Sequence, residues 1–311
     1  MTESFIGHEI EPQLDWLELI AAIGAGHRLA KATITDSFLY RGKDTLLSRA
    51  AWIDGLGSLV KTATIFPENA AHGLANVNGA VALFADATGV LEAMLDFHLV
   101  TKWKTAGDSL FAASKLARPD SRKIALIGAG TVSRSMHAAY SALFPDAEFT
   151  VWNRSPGAAQ EMARTLPRCH ATDDLQNAVS QADIICTATL SKTPILRGAW
   201  LRPGQHIDLI GAFRPDMREA DDLTLQRAKL FVDSYETTLD HIGELKIPLS
   251  EGTIAKKDIH ADFYGSAQGS FFRPSDDAIT LCKNGGGAHL DLMTSSYILS
   301  KWNAVVENKQ A

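Results

Sequence analysis

The eight residues Lys123–Gly130 (KIALIGAG) constrain this chain more than any other stretch of it. A short apolar run that ends directly in Gly-Ala-Gly reads as a buried strand turning sharply into a helix. Glycine at 128 and 130 lets the backbone approach a pyrophosphate, and a helix opening at Thr131–Val132 aims its unsatisfied N–H groups and positive dipole end at phosphate oxygens. Ser133 takes the third glycine position and is small enough to pack against the strand. The helix Ser133–Leu143, the turn at Pro145-Asp146 and a second apolar strand, Phe149–Trp152, complete the order of a βαβ unit.

About twenty residues beyond the glycines, Asn153-Arg154 stand where an acidic residue would bond the 2′-hydroxyl of NAD. Arg154 instead offers a cation to a 2′-phosphate. The pattern predicts a nicotinamide dinucleotide, NADP(H) in preference and NAD(H) as the alternative, held by Gly128, Gly130, Thr131, Val132, Asn153 and Arg154.

Further strand-like runs follow at Ile184–Thr187, His206–Ile210 and Leu230–Asp233, alternating with helical segments to about residue 285, the signature of a doubly wound parallel sheet. The sequence before residue 119 reads differently. Gln13–Lys31 has helical apolar spacing, and the short runs Leu46–Leu47, Leu59–Phe66, Ala80–Phe84 and Val90–Leu95 are broken by turn chemistry, which predicts a mostly antiparallel α+β region. A helix from Thr101 is expected to end near Pro119. After Gly285-Gly286-Gly287, an apolar stripe over Asp291–Val306 predicts a helix that belongs with the first region. The expected fold is α/β: a Rossmann doubly wound parallel sheet, residues 119–289, inserted in a second α+β domain made of residues 1–118 plus 290–311.

At 311 residues the chain is long enough for two such cores. Its net charge of −6 gives no electrostatic reason to expect nucleic acid or an anionic membrane as partner. No segment holds the roughly twenty apolar residues of a membrane span. Glu3, Glu9 and Glu11 do not resemble a signal peptide, so a cytoplasmic chain is expected. Cys169, Cys186 and Cys282 are odd in number and far apart, which predicts reduced thiols rather than disulfides. His98, His206, His241 and His289 show no metal-ligand spacing, so no metal is expected. Neither a GxSxG elbow nor a P-loop is present, which leaves acyl transfer and NTP hydrolysis without a starting residue.

Two lysines stand out. Lys61 interrupts an otherwise apolar, β-branched strand; a buried ammonium is costly, so it is either paired or employed on a carbonyl, imine or carboxylate, the alternative being an edge-strand lysine in solvent. Lys104, in the first turn of the helix from Thr101, opposes the helix dipole and therefore suggests an anionic ligand, with Lys102 the better candidate for a solvated face.

The segments Leu59–Gly89, 103–109 (WKTAGDS), 127–130 (IGAG), 152–155 (WNRS), 187–189 (TAT), 194–212 and 285–292 (GGGAHLDL) together resemble the ornithine cyclodeaminase/mu-crystallin family. The resemblance covers nearly the whole chain. It implies a homodimer formed through the non-Rossmann domain, which also binds substrate, and a small imino- or amino-acid substrate that meets the nicotinamide in the cleft between domains. It matches Lys61 to the family's active-site lysine and Lys104 to the arginine that binds the substrate carboxylate. It adds Thr105, Ser155, Thr187 and Thr189 to the cofactor contacts. Arg49 either takes over the carboxylate contact of an upstream family arginine or is structural. Asp291 either orients Lys61 or a water, or serves as a helix N-terminal carboxylate. Phe213 stands where cyclodeaminases and alanine dehydrogenases carry an aspartate for the amino group.

These departures favour an NAD(P)H-dependent reductase of a cyclic ketimine carboxylate, Δ1-pyrroline-2-carboxylate or Δ1-piperideine-2-carboxylate, giving L-proline or L-pipecolate. The same-fold alternative is an ornithine cyclodeaminase or alanine dehydrogenase using NAD. The alternative of another class is a non-catalytic NADP(H)-dependent ligand-binding protein.

Overall fold

In the computed structural model, which describes residues 4–310, the first six strands form one sheet. They are β1 (Ser4–Ile6), β2 (Thr33–Arg41), β3 (Asp44–Ile53), β4 (Gly57–Ile65), β5 (Val77–Phe84) and β6 (Leu91–Asp96), in spatial order β1-β6-β5-β4-β3-β2. All neighbours are antiparallel except β1 and β6. Helix α1 (Trp16–Gly26) packs on the last helix, Ala288–Gln310, which in turn lies against β2 to β5. This is one compact unit, Met1–Lys104 with Gly286–Ala311; Thr105–Gly285 is the other.

Antiparallel pairing strings one residue from each strand into a rung across the first sheet: Asp36, Arg49, Lys61, Val81, Leu95 and Ile6. Residues on a rung share a face. Half of this rung is charged and half is apolar, and the apolar half is fully buried, as are Leu59 and Leu83 nearby. Each such side chain contributes about 1.5–3 kcal/mol by leaving water. Lys61 lies on a central strand, between β3 and β5, and not on an edge.

The first unit differs in detail from what the sequence predicts. Helix α1 starts only at Trp16, because Asp15 caps it by accepting the N–H groups of Leu17 (2.8 Å) and Glu18 (3.0 Å). Strand β2 has no counterpart among the predicted runs; it is exposed along nearly its whole length, so no alternation marks it. The helix expected from Thr101 begins at Phe97, as α2 (Phe97–Leu116), and the last helix begins at Ala288 rather than Asp291.

The second unit holds an eight-stranded sheet whose paired strands all run parallel: β7 (Lys123–Ile127), β8 (Glu148–Trp152), β9 (Cys169–Thr172), β10 (Ile184–Thr187), β11 (His206–Leu209), β12 (Lys229–Val232), β13 (Ile259–Ala261) and β14 (Thr280–Lys283). Their order is β13-β12-β14-β11-β10-β7-β8-β9. Ile127, Ile185, Ile207, Leu209, Val232 and Leu281 fill its interior. The chain leaves β7 toward β8 on one side and returns to β10 on the other, which makes the carboxyl end of β7 the topological switch point where such sheets bind ligands. Helix α3 (Thr131–Leu143) starts there. The three cysteines are buried and free, and burial pushes the thiols of Cys186 and Cys282 well above their usual pKa. No helix among the described residues is long and apolar enough to cross a membrane.

Candidate functional site

In the first unit a charged centre grows out of the rung. The Lys61 ammonium donates to Asp291 Oδ1 and to Thr101 Oγ1, both at 2.8 Å, and lies 4.7 Å from the centre of the Phe97 ring. Arg49, its cross-strand neighbour, donates to Asp36 Oδ2 (2.7 Å) and to the Gly286 carbonyl (2.7 Å), and its guanidinium stands 3.7 Å from Asp291 Oδ2. Lys104 is also buried, and its amine occupies the space where a side chain at Gly286 would begin. Gly286 adopts φ +72°, a conformation that favours glycine. The turn before the last helix is thus shaped around both cations.

Electrostatics follow from this packing. Burial lowers the Lys61 pKa; Asp291 opposes the shift, while Lys104 and Arg49 add to it. Burial alone would raise Asp291, but Lys61, Lys104 and Arg49 outweigh it and hold the carboxyl below its usual value. His289, fully buried beside them, is driven well below the usual imidazole range by burial and then by His27 and Lys104. It is therefore neutral at pH 7. The basic side chains of Arg49, Lys61 and Lys104 thus gather around Asp291, and Asp36 pairs with Arg49.

The second unit holds a glycine turn that could cradle a dinucleotide. Gly128 has φ +112°, and a Cβ there would come 2.6 Å from the Ala188 carbonyl oxygen. Gly130 caps α3 without any side-chain hydrogen bond, and the space around its Cα is open. The first amides of α3 are consequently not taken by a cap side chain. Asn153 Oδ1 accepts the Ala129 N–H (3.3 Å) and its Nδ2 donates to the Ser155 carbonyl (3.1 Å), which couples the tip of β8 to the glycine turn. Arg154, beside it, is exposed and makes no hydrogen bond or ion pair with any described residue. Thr131, Val132 and Ser155 are exposed around the same turn, and Thr105 is half-buried in α2. These features fit a dinucleotide: open backbone at the phosphate position and an uncommitted cation at the ribose position.

Thr187 and Thr189 lead to a residue the sequence reading does not pick out. Thr187 is fully buried and its hydroxyl donates to Glu219 Oε2 (2.7 Å); the Thr189 hydroxyl donates to Glu219 Oε1 (2.6 Å). Glu219 lies in Arg218-Glu219-Ala220-Asp221-Asp222, a polar run that reads as a solvated loop. Its only local signal is the alanine between acids, which is too weak to mark burial. Asp36 is likewise missed because β2 is. Among the described residues no cluster of His, Cys, Asp and Glu could hold a metal ion.

The parallel sheet with its glycine turn, together with an α+β unit that holds a lysine–carboxylate centre, defines a Rossmann-type protein with a second α+β unit. The sequence pattern of the ornithine cyclodeaminase/mu-crystallin family matches residues 54–305, and the chain belongs to that family. It is 50% identical over 292 residues to the Δ1-pyrroline-2-carboxylate reductase of Paracoccus denitrificans, covering 92% of each chain. Among solved structures it is similar to the Thermococcus litoralis Δ1-pyrroline-2-carboxylate reductase in complex with NADH and L-proline (27% identity, 96% of each chain, TM-score 0.88). It is also similar to an archaeal alanine dehydrogenase dimer with bound NAD (27% identity, 99% and 98% of the chains, TM-score 0.89).

Proposed function

We propose that this chain is an NAD(P)H-dependent reductase of small cyclic ketimine carboxylates, converting Δ1-pyrroline-2-carboxylate to L-proline and, with a six-membered ring, Δ1-piperideine-2-carboxylate to L-pipecolate. The observation that carries the reading is the 50% identity to such a reductase across 92% of both chains. The gathering of basic side chains around Asp291 in the first unit supports it, because the substrate is an anion.

The roles assigned are these. Lys104 and Arg49 bind the substrate carboxylate; Lys104 supplies charge without the bidentate fork of an arginine. Lys61 donates the proton that the imine nitrogen acquires, and Asp291 holds the Lys61 ammonium in place and in its charged form. A bound nicotinamide supplies the hydride that the imine carbon accepts. Gly128, Gly130, Thr131, Val132, Asn153, Arg154 and Ser155 cradle the dinucleotide, with Thr105 beside them and Thr187 and Thr189 behind. Phe213, at the position of the family's amino-handling aspartate, is 60% exposed and offers no carboxylate, which counts against ornithine cyclodeamination. Free buried thiols suit a reducing cytoplasm.

Oxidation of NADPH and NADH at 340 nm with the two imines tests the reading. Turnover with both cofactors is expected, NADPH being favoured through Arg154, and Arg154→Ser should lower NADPH affinity about tenfold and leave NADH within threefold. Absence of turnover with either imine, together with ammonia release from L-ornithine and NAD, would overturn it.

The assembly proposed is a homodimer through the first sheet. Edge strand β2 exposes Phe38 (48%), Leu39 (65%) and Tyr40 (74%), an apolar edge that soluble chains cover. Light scattering should give twice the 33.6 kDa chain mass, and Leu39→Asp with Tyr40→Asp should give the single mass. A wild-type chain that is monomeric at micromolar concentration would exclude this interface.

A further inference from the structure

Glu219 is a densely hydrogen-bonded carboxylate of the second unit and has no part in the roles assigned above. It is fully buried. Its Oε1 accepts the N–H (2.8 Å) and the hydroxyl (2.6 Å) of Thr189; its Oε2 accepts the Thr187 hydroxyl (2.7 Å) and the N–H groups of Gly211 (2.8 Å) and Ala212 (3.3 Å). Three backbone N–H groups and two hydroxyls thus converge on its two oxygens. Its backbone works on the same segment: the Glu219 carbonyl accepts the N–H groups of Ile195 and Leu196, both at 2.9 Å. Its own N–H and that of Ala220 donate to Glu244 (2.7 and 3.0 Å).

The residues so held are not scattered. Thr189 and Ile195 lie toward the two ends of the loop that follows β10, and Gly211 and Ala212 lie near the start of the loop that follows β11. The first loop is the one whose Ala188 carbonyl closes on Gly128 at the switch point. Gly211 is close-packed in turn: a Cβ there would overlap the Thr189 backbone and Glu219 itself. Further out, Lys192 and Asp216 pair at 2.8 Å, joining the same two loops a second time. One side chain therefore sets the position of the wall against which Gly128 turns.

We propose that Glu219 is a positioning residue for the cofactor: it fixes the loops after β10 and β11 so that the Ala188–Thr189 backbone forms a rigid side of the dinucleotide cradle. The inference rests on the nicotinamide-dinucleotide reading of that cradle. Under it, the Thr187 and Thr189 hydroxyl protons are committed to Glu219, and these threonines act on the cofactor through loop position.

The test is Glu219→Gln, close to the same shape but with an amino group that must face either the two Thr189 donors or the three others. In the folded variant, verified by circular dichroism and melting, amide hydrogen exchange at Thr189 and Gly211 should speed up at least about tenfold. The NADPH and NADH dissociation constants, read by fluorescence, should rise about tenfold, while KM for the imine at saturating cofactor stays within about twofold. A folded variant with wild-type exchange or wild-type cofactor affinity overturns the proposal. If Glu219→Gln does not fold, Thr187→Val removes one donor at a fully buried site; about threefold weaker cofactor binding supports the proposal, and unchanged affinity overturns it. A wild-type chain that binds neither cofactor fails the cofactor reading itself, an outcome distinct from wild-type binding that the variants merely match.

Discussion

Lys61→Met is expected to reduce the imine about 10³-fold more slowly than wild type while binding NAD(P)H with unchanged affinity. The methionine keeps the apolar stem that fills the sheet face between Leu59 and Ala63, so the β4 register survives. What disappears is the ammonium that donates to Asp291 and Thr101. Asp291 keeps Lys104 and Arg49 nearby but loses its hydrogen-bonded ammonium, so a few kcal/mol of stability should be lost, visible as a lower melting temperature. The pH profile separates proton donation from simple charge. Lys61 donates only while protonated, so kcat should fall as pH rises through its pKa, which burial has lowered from the ordinary lysine value. Asp291 is the neighbour that raises that pKa, and Asp291→Asn should move the fall to still lower pH. Turnover of Lys61→Met within threefold of wild type, or an Asp291→Asn profile that does not move, would remove Lys61 from the chemistry.

Gly128→Ala should weaken dinucleotide binding by about 10²-fold or more and lower the melting temperature as well. At φ +112° an L-residue is strained by about 1–3 kcal/mol, and the added methyl has only 2.6 Å to the Ala188 oxygen, a backbone atom that cannot swing aside. Either the glycine turn or the loop after β10 must shift, and both border the cradle. Gly130→Ala is the informative contrast. Its Cα faces open space at φ −87°, so the empty protein should melt as wild type does. Lost cofactor affinity there would come from the methyl meeting the ligand itself. Titration of NADPH fluorescence into both variants, with melting curves taken beside it, checks the pair. A Gly128→Ala protein with wild-type affinity would show that the phosphates do not approach this turn.

The parallel sheet was legible because its signal is local. Lys123–Gly130 contains strand, turn and helix start within eight residues, and strands buried on both faces read as continuous apolar runs. Short strands with mixed chemistry were not legible: β14 is Thr-Leu-Cys-Lys and β9 is Cys-His-Ala-Thr, neither long enough to show a period. Strand β2 escaped for the opposite reason, since exposure on both faces leaves its sequence without alternation. In the charged centre, Lys61 was conspicuous as an isolated cation in an apolar run. Its partner Asp291 came into view only through the family resemblance, because it lies 230 residues away and a carboxylate in a first helical turn has an adequate local explanation. Glu219 was hidden among neighbouring charges. Burial of one acid in a polar run is decided by the loops that close over it, and no window of sequence contains them.

The distance from Lys61 to Asp291 along the chain also has a meaning for biosynthesis. Strands β2 to β6 leave the ribosome early, with their lysine already set into an apolar face. At about 5–20 residues per second, the carboxylate that neutralises it follows roughly 10–50 s later, after the whole parallel sheet has been made. During that interval the first sheet lacks both the carboxylate partner of Lys61 and the helix that packs against β2 to β5. A chain cut short anywhere in the second unit never receives either. The ion pair thus ties the first sheet to the last helix, so that the first unit closes only once both have been made.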